Sequence, residues 1–281
     1  DCLLSRGLGD VYKRQDYAWG PAKLDHQGRA RLDEIKIIVT PEDSVRIGAL
    51  LSNQAGFIRQ IQAYDEQRVT DRKFPVYAAS TRGVNDSLAF RPDNERVADV
   101  RVRKALLHAT NAKEIVQTLF TANYPQAKGV IVSTAAGFVD LSAELAFDEA
   151  KAKALLDEAG WVPQADGIRA KDGLPLVLST YESLNYLQNR EVLQLVAQQW
   201  AKVGVKLNVL SGDLGSKTID SLDPEKTALI PAMVGRADPD VIKSNYYPTN
   251  RNLLLQKGGI SQKVKSCLLY TSPSPRDKRQ S

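Results

Sequence analysis

The sequence predicts an α/β fold, and three observations carry that prediction. Between Leu176 and Val209 it reads strand, helix, strand: Leu176, Leu178 and Thr180 alternate, Asn189 to Val203 has helical periodicity, and Val205, Leu207 and Val209 alternate again. Between Asp99 and Trp161 lie three amphipathic helices with capping residues at their ends. Between the two regions, Asp172-Gly173 separates short extended runs, the strongest local signal for a hairpin. A length of 281 residues suits one or two domains.

The three helices are the most legible part. Val102, Ala105, Leu106 and Ala109 recur at i, i+3, i+4, i+7 and line one face. Asn111 offers a fresh N-cap, with Glu114 three residues on able to reach back as in a capping box. Ile115, Val116, Leu119 and Phe120 form the stripe of the second helix. The third runs from Asp148, a cap, to Ala159, with Ala152, Leu155, Leu156 and Ala159 inward. Gly160 is the expected left-handed stop, and Trp161 folds back onto Leu156.

In the strand–helix–strand unit, Val192, Val196, Trp200 and Val203 face inward, Gly204 ends the helix, and Val205 packs on Trp200. Such a unit joins parallel strands through a right-handed crossover. Elsewhere the signals are shorter. Asp16 to Leu32 is irregular. Ile35, Ile37 and Val39 alternate as a half-buried strand that Pro41 breaks, and Glu42 to Leu51 is a short helix with Val45, Ala49 and Leu50 on one side. Asn53 suits a left-handed cap. Phe74 to Ser80 reads as an edge strand because Pro75 lacks an N–H, and Ser87 to Phe90 is extended. Gly129 to Ser142 is a loop of small residues. Residues 211–227 are polar without a clear element, and Ala228 to Val234 is a buried strand.

Composition excludes several classes. Apolar residues make up 43 % and charged ones 25 %, as in ordinary globular proteins, and no apolar run is long enough to span a bilayer. The net charge of +5 is partly a property of the ends. Residues 1–15 carry +1 and residues 267–281 carry +2, leaving +2 for 16–266, too little to argue for nucleic acid. Both cysteines, Cys2 and Cys267, lie in those ends, and both ends contain Cys-Leu-Leu and Lys-Arg-Gln. DVYKRQ and CLLYTSPSPRDKRQ read as translated adapter sequence, so both segments are set apart from the fold. The remaining core has no thiol for a disulfide, a metal or a nucleophile.

Catalytic motifs fail on inspection. His108 sits among apolar helix residues and His26 in a polar loop, and neither has partners for a zinc site. Gly212 to Thr218 approaches a phosphate loop, but Ser216 stands where a glycine must precede the lysine. No G-x-S-x-G elbow occurs. Asp238 and Asp240 are spaced like paired carboxylates, yet Asp and Pro at a strand end serve the turn equally well. The alternatives to a binding protein are an α/β enzyme without a recognisable motif and a helix-turn-helix DNA-binding protein. The second is opposed by the low charge and by apolar stripes that use both helices as core.

Two motifs at a fixed distance narrow the choice. D-V-R-V-R-K-A-L begins at Asp99, and D-E-A-K-A-K-A-L-L-D-E-A-G-W runs from Asp148 to Trp161. Together they resemble the family 5 extracellular solute-binding proteins, the peptide- and nickel-type receptors of bacterial ABC importers. The resemblance covers about 16–250. Two positions depart from it: Gly56 replaces the usual acidic residue, and Arg91 follows Leu88-Ala89-Phe90 where an asparagine is usual. The resemblance implies a periplasmic-binding-protein-like type II lobe, a mixed sheet with flanking helices, as a fragment of a two-lobe receptor. It divides the chain into a tail at 1–15, a remnant of the N-terminal lobe at 16–85, the C-terminal lobe at 86–235, a return segment at 236–266 and a tail at 267–281. It implies no catalytic residue, cofactor or metal. The expected partners are a peptide or other small solute and the ABC permease subunits. The expected state is a monomer, periplasmic or extracellular, touching the membrane only through a lipid anchor or the permease.

Ligands of open α/β structures sit beyond the carboxyl ends of strands. Two such ends are readable, Thr180 to Asn185 and Met233 to Asp238, and the resemblance puts the second at the cleft. The candidate ligand-binding residues are therefore Tyr181, Asn185, Met233, Gly235, Arg236 and Asp238. In peptide-binding relatives an acidic residue shortly before the proline grips the peptide's amino group. Here Gly235 or Arg236 falls at that place, so an amino group held in that manner is not expected. Arg236 instead offers a planar fork for a carboxylate, and Tyr181 a stacking face with a hydroxyl.

Overall fold

The chain divides into two units, Asp1–Phe57 and Ile58–Ser281, and among the described residues of the first lies helix α1, Asp43–Leu51. The computed structural model describes residues 32, 34–79, 82–183, 188–236, 238 and 240–242. In α1 Ile47 and Leu50, one turn apart, are the buried pair; of the expected Val45, Ala49 and Leu50 face, Leu50 is inward but Val45 is exposed, and Ile47 takes its place. Asn53 follows with φ of 60°, the left-handed conformation expected of it. Residues 34–40 form no strand, contrary to their alternation, and Ile35, Ile37 and Val39 are 72 %, 86 % and 87 % exposed. Alternation makes a strand only where a neighbour completes the ladder, and none of the described residues pairs with this stretch.

The second unit opens with a 3₁₀ turn, Ala63–Asp65, leading into α2, Glu66–Asp71. Glu66 is buried, and its carboxylate accepts hydrogen bonds from Thr121 Oγ1 at 2.6 Å and Asn123 Nδ2 at 3.0 Å. Burial and that carboxylate together push the neighbouring Tyr124 hydroxyl up to about 12. The edge strand expected from Phe74 is absent from 74–79, where Pro75 removes a donor and Tyr77 is exposed.

Strand β1, Val84–Phe90, pairs antiparallel with β7, Leu229–Val234. Between them lie the helices predicted from the sequence. Helix α3, Val100–Ala109, is capped by Asp99, whose side chain accepts from Arg101 N–H at 2.8 Å. Helix α4, Ala112–Leu119, is capped by Asn111, which accepts from Glu114 N–H at 3.1 Å. The other half of the expected capping box is replaced. Gln199 accepts from Asn111 N–H at 2.9 Å and donates to the Glu114 carboxylate at 3.1 Å, so its amide sits between the two groups that a box would join. Helix α5, Glu149–Glu158, is capped by Asp148 and stopped by Gly160 at φ of 86°. Trp161 N–H then donates to Leu156 O at 2.9 Å.

Three short strands follow: β2, Val162–Pro163; β3, Arg169–Lys171; and β4, Leu174–Pro175, which form one antiparallel sheet. Asp172 and Gly173 turn the β3–β4 hairpin with positive φ at both positions. Strand β5, Val177–Tyr181, and β6, Lys206–Leu210, are parallel and joined through α6, Asn189–Ala201. Ala228 N–H donates to Ser179 O in β5 while its carbonyl accepts from Arg91 N–H, so this residue ties the β1–β7 pair to the β5–β6 pair. Residues 211–227 contain an element the sequence did not announce, α7, Leu214–Asp220, capped by Asp213.

One core joins these parts. Val102, Ala105, Leu106 and Ala109 from α3 meet Ala152 and Leu156 from α5, Val196 and Trp200 from α6, Leu178 from β5, Leu207 from β6 and Leu229 from β7. Several polar groups beside it find partners. Trp200 Nε1 donates to Thr110 Oγ1 at 2.8 Å. Arg169, buried in β3, donates to Val203 O and Trp161 O and pairs with Asp157. Gly204 is required beside it, because φ is 83° and an added Cβ would lie 2.7 Å from Arg169 Cγ. Arg91, where an asparagine was expected, is fully buried, pairs with Asp93 and donates to Ser221 O. Asn94 donates to Pro224 O at 2.6 Å, so the turn after β1 is anchored to the loop that leads into β7.

Candidate functional site

The carboxyl end of β7 meets an irregularity in β1. Val84 pairs with Val234 and Ser87 with Ala232, so Asn85 and Asp86 together oppose Met233 alone. Two residues against one is a β-bulge, a device that re-aims side chains at a sheet edge. Asn85 is turned to one side, where its amide donates to Gly129 O at 2.8 Å and its N–H to Val130 O at 3.1 Å. Ser87 Oγ donates to Ala232 O across the ladder at 3.1 Å. Asp86 is exposed, and among the described residues it forms no ion pair. Partial desolvation of its carboxyl raises its pKa to about 6, opposed in part by the Ser87 N–H.

The segment after β7 is shaped by its own backbone. Gly235, Arg236 and Asp238 are exposed, and Met233 is 36 % exposed. Asp238 Oδ1 accepts from Asp240 N–H at 2.9 Å, and Asp238 O accepts from Val241 N–H at 3.0 Å. Val241 is thereby buried with Val84 and Ile131, which closes the chain back against the start of β1. The carboxylate of Asp238 thus serves a turn, as Asp commonly does. The geometry brings Met233, Gly235 and Arg236 to the same end of the β1–β7 pair as Asp86.

Tyr181 ends β5, on the other sheet. Its ring is 8 % exposed and its hydroxyl donates to Asp220 Oδ2 at 2.6 Å. That bond raises the tyrosine pKa, while the Lys226 ammonium, with the tyrosine hydroxyl, lowers that of Asp220. The ring also lies against Gly212, where an added Cβ would approach it to 3.1 Å. Asn185, the remaining candidate, lies outside the described residues, as does His26. His108 is buried with Nδ1 2.8 Å from Ala146 O, a packing role. In the phosphate-loop-like stretch, Asp213 caps α7 by accepting from Gly215 and Ser216 N–H. Among the described residues no group of three or more His, Cys, Asp or Glu side chains is placed to hold a metal. A groove of about 410 Å³ beside α4 is lined by Lys113, Val116, Phe120 and Tyr124, and by none of the candidate residues.

Sequence reasoning missed Asp86. The available signal was the polar run Asn85-Asp86-Ser87 between Val84 and Leu88-Ala89-Phe90, where a bulge sits.

The family model "Bacterial extracellular solute-binding proteins, family 5 Middle" matches residues 9–252. The chain belongs to this family, whose members bind solutes for transport and are not enzymes, and which work outside the cytoplasm. It is 25 % identical over 240 residues to the dipeptide-binding protein of Escherichia coli, covering 85 % of this chain and 41 % of that protein. It is 26 % identical to heme-binding protein A of Haemophilus influenzae, covering 76 % of this chain and 38 % of the relative. The chain thus spans about two-fifths of the length of these relatives. Among solved structures it superposes on NikA from Brucella suis in complex with Fe(III)-EDTA with a TM-score of 0.67 and 22 % identity, covering 80 % of this chain and 45 % of that one. Against the oligopeptide-binding protein AppA of Bacillus subtilis in complex with a nonapeptide, the TM-score is 0.64 at 20 % identity, covering 80 % and 46 %. The fold is therefore that of a type II periplasmic-binding-protein-like chain.

Proposed function

We propose that this chain is part of a receptor that captures a peptide or other small solute outside the cytoplasmic membrane and delivers it to an ABC importer. Residues 86–235 form its C-terminal α/β lobe, 16–85 belong to the N-terminal lobe, and 236–266 return towards it. The receptor is a monomer that meets the membrane through the permease subunits or a lipid anchor. No bond is made or broken: the lobes close over the solute, and binding energy shifts the open–closed population.

The observation that carries this reading is the antiparallel β1–β7 pair. Its open end presents Met233, Gly235 and Arg236 as exposed residues just beyond the carboxyl end of a strand, where α/β structures bind ligands. Arg236 supplies the fork for a carboxylate, Met233 a soft apolar wall, and Asp238 fixes the turn. Tyr181 at the end of β5 is a further candidate, although its ring is largely buried and its hydroxyl is bonded to Asp220. Relatives named for dipeptide and heme binding support a solute that carries carboxylates.

The test is calorimetric titration of the full-length receptor with the dipeptide Ala-Phe, with N-acetyl-Ala-Phe and with citrate. Arg236→Ala is expected to weaken the tightest of these by tenfold or more, and Tyr181→Ala by less. If both variants bind it as tightly as the parent, the site lies elsewhere.

A further inference from the structure

We infer that Glu66 is a catch between the two lobes: its carboxylate, carried on the N-terminal-lobe segment, grips Thr121 and Asn123 of the C-terminal lobe and slows the release of bound solute. The catch presupposes the receptor reading and the lobe division proposed above. It sets how long solute is held without touching it.

The contact is specific. Glu66 opens α2 and is 7 % exposed, and its Oε2 accepts from Thr121 Oγ1 at 2.6 Å and from Asn123 Nδ2 at 3.0 Å, partners 55 and 57 residues away. The Tyr124 hydroxyl is desolvated beside the same carboxylate. Among the described residues no Lys or Arg pairs with it. A buried carboxylate held by neutral donors gains little net stability, because water serves all of these groups once the contact opens. An apolar seam would suit a permanent contact; this one suits a contact that forms and breaks.

Its position says what it holds shut. Ser183 N–H donates to Asn189 Oδ1 at 2.7 Å, so α6 begins at the carboxyl end of β5. Tyr64, two residues before Glu66, lies near Glu191 in the first turn of α6; its hydroxyl pKa is raised by desolvation and then by the Asp65 and Glu191 carboxylates. Gln199, near the other end of α6, meets Asn111 at the start of α4. Helix α4 therefore runs back along α6, and Thr121 and Asn123, just past its end, lie at the carboxyl end of β5 as well. The turn 63–66 is thus seated on the face of the C-terminal lobe where solutes of α/β structures bind. A contact there joins when the lobes come together over solute, and must part before solute leaves.

The experiment compares the full-length receptor with Glu66→Ala and Thr121→Val in stopped-flow binding of Ala-Phe, N-acetyl-Ala-Phe and citrate. For whichever solute binds, Glu66→Ala is expected to release it about tenfold faster or more at an unchanged association rate, the size expected of hydrogen bonds to a charged group. Thr121→Val is expected to speed release by less. The double variant is expected to release no faster than Glu66→Ala alone, because the threonine acts through the same carboxylate. Thr121→Val carries the test should Glu66→Ala fail to fold. Unchanged release in the folded variants, with only a lower thermal midpoint, makes Glu66 a packing residue and overturns the inference while the receptor reading stands. If the parent binds none of the three, the receptor reading fails and the inference with it.

Discussion

Asp86 carries a stability cost that can be measured. Its carboxyl titrates at about 6 in the folded chain against an ordinary 3.8. The folded state therefore holds this proton more tightly than the unfolded chain, and stability falls as pH rises between about 4 and about 6. Above that window the whole penalty is present, and below it none. Asp86→Asn should accordingly raise the thermal midpoint at pH 7.5 and match the parent at pH 3.5. A variant no more stable than the parent at pH 7.5 would show that the carboxyl is well solvated. Arg91 is the opposite case: it is buried in a pair with Asp93 and bonded to Ser221 O. Arg91→Ala leaves a buried carboxylate unpaired and should cost about 3–5 kcal/mol in denaturant unfolding.

At the scale of elements, the helices with an apolar face were readable, because periodicity, cap and stop all lie within one short stretch. Asp99, Asn111 and Asp148 cap as their positions suggested. What the sequence hid are partnerships across distance. Nothing near Asn111 announces that Gln199, 88 residues away, completes its cap. The Asp86 bulge was hidden in the same way, since a register slip is a property of two strands and Ser87 meets Ala232 across 145 residues. Helix α7 escaped notice because it has little apolar face: Ile219 is 66 % exposed and the Asp213 cap does much of the positioning. Gln199→Leu tests the distant cap. It strands the half-buried Asn111 N–H, the exposed Glu114 carboxylate remaining hydrated, and should cost about 1–3 kcal/mol. A smaller loss would mean that water replaces the amide without penalty.

At the scale of the molecule, Ile35, Ile37 and Val39 alternate as strand residues yet stand exposed in this chain, which spans about 41 % of the E. coli dipeptide-binding protein. The missing ladder is expected in the rest of the receptor. Amides of 34–40 should exchange hydrogen near unprotected rates in this chain and become protected in the full-length protein. Equal, fast exchange in both would show that the alternation has no structural role. The parts of the proposed site read from sequence, Met233 to Asp238, rest on the rule on strand ends and on the family resemblance. Tyr181 was readable as a strand end but not as the donor to Asp220, since α7 was not foreseen.

The central claim is that solute is held where β7 ends beside β1. Hydrogen exchange on the full-length receptor, with and without the tightest binder among Ala-Phe, N-acetyl-Ala-Phe and citrate, tests it most directly. The account predicts added protection concentrated at 82–86 and 233–238. Protection elsewhere, with these two segments unchanged, would contradict it.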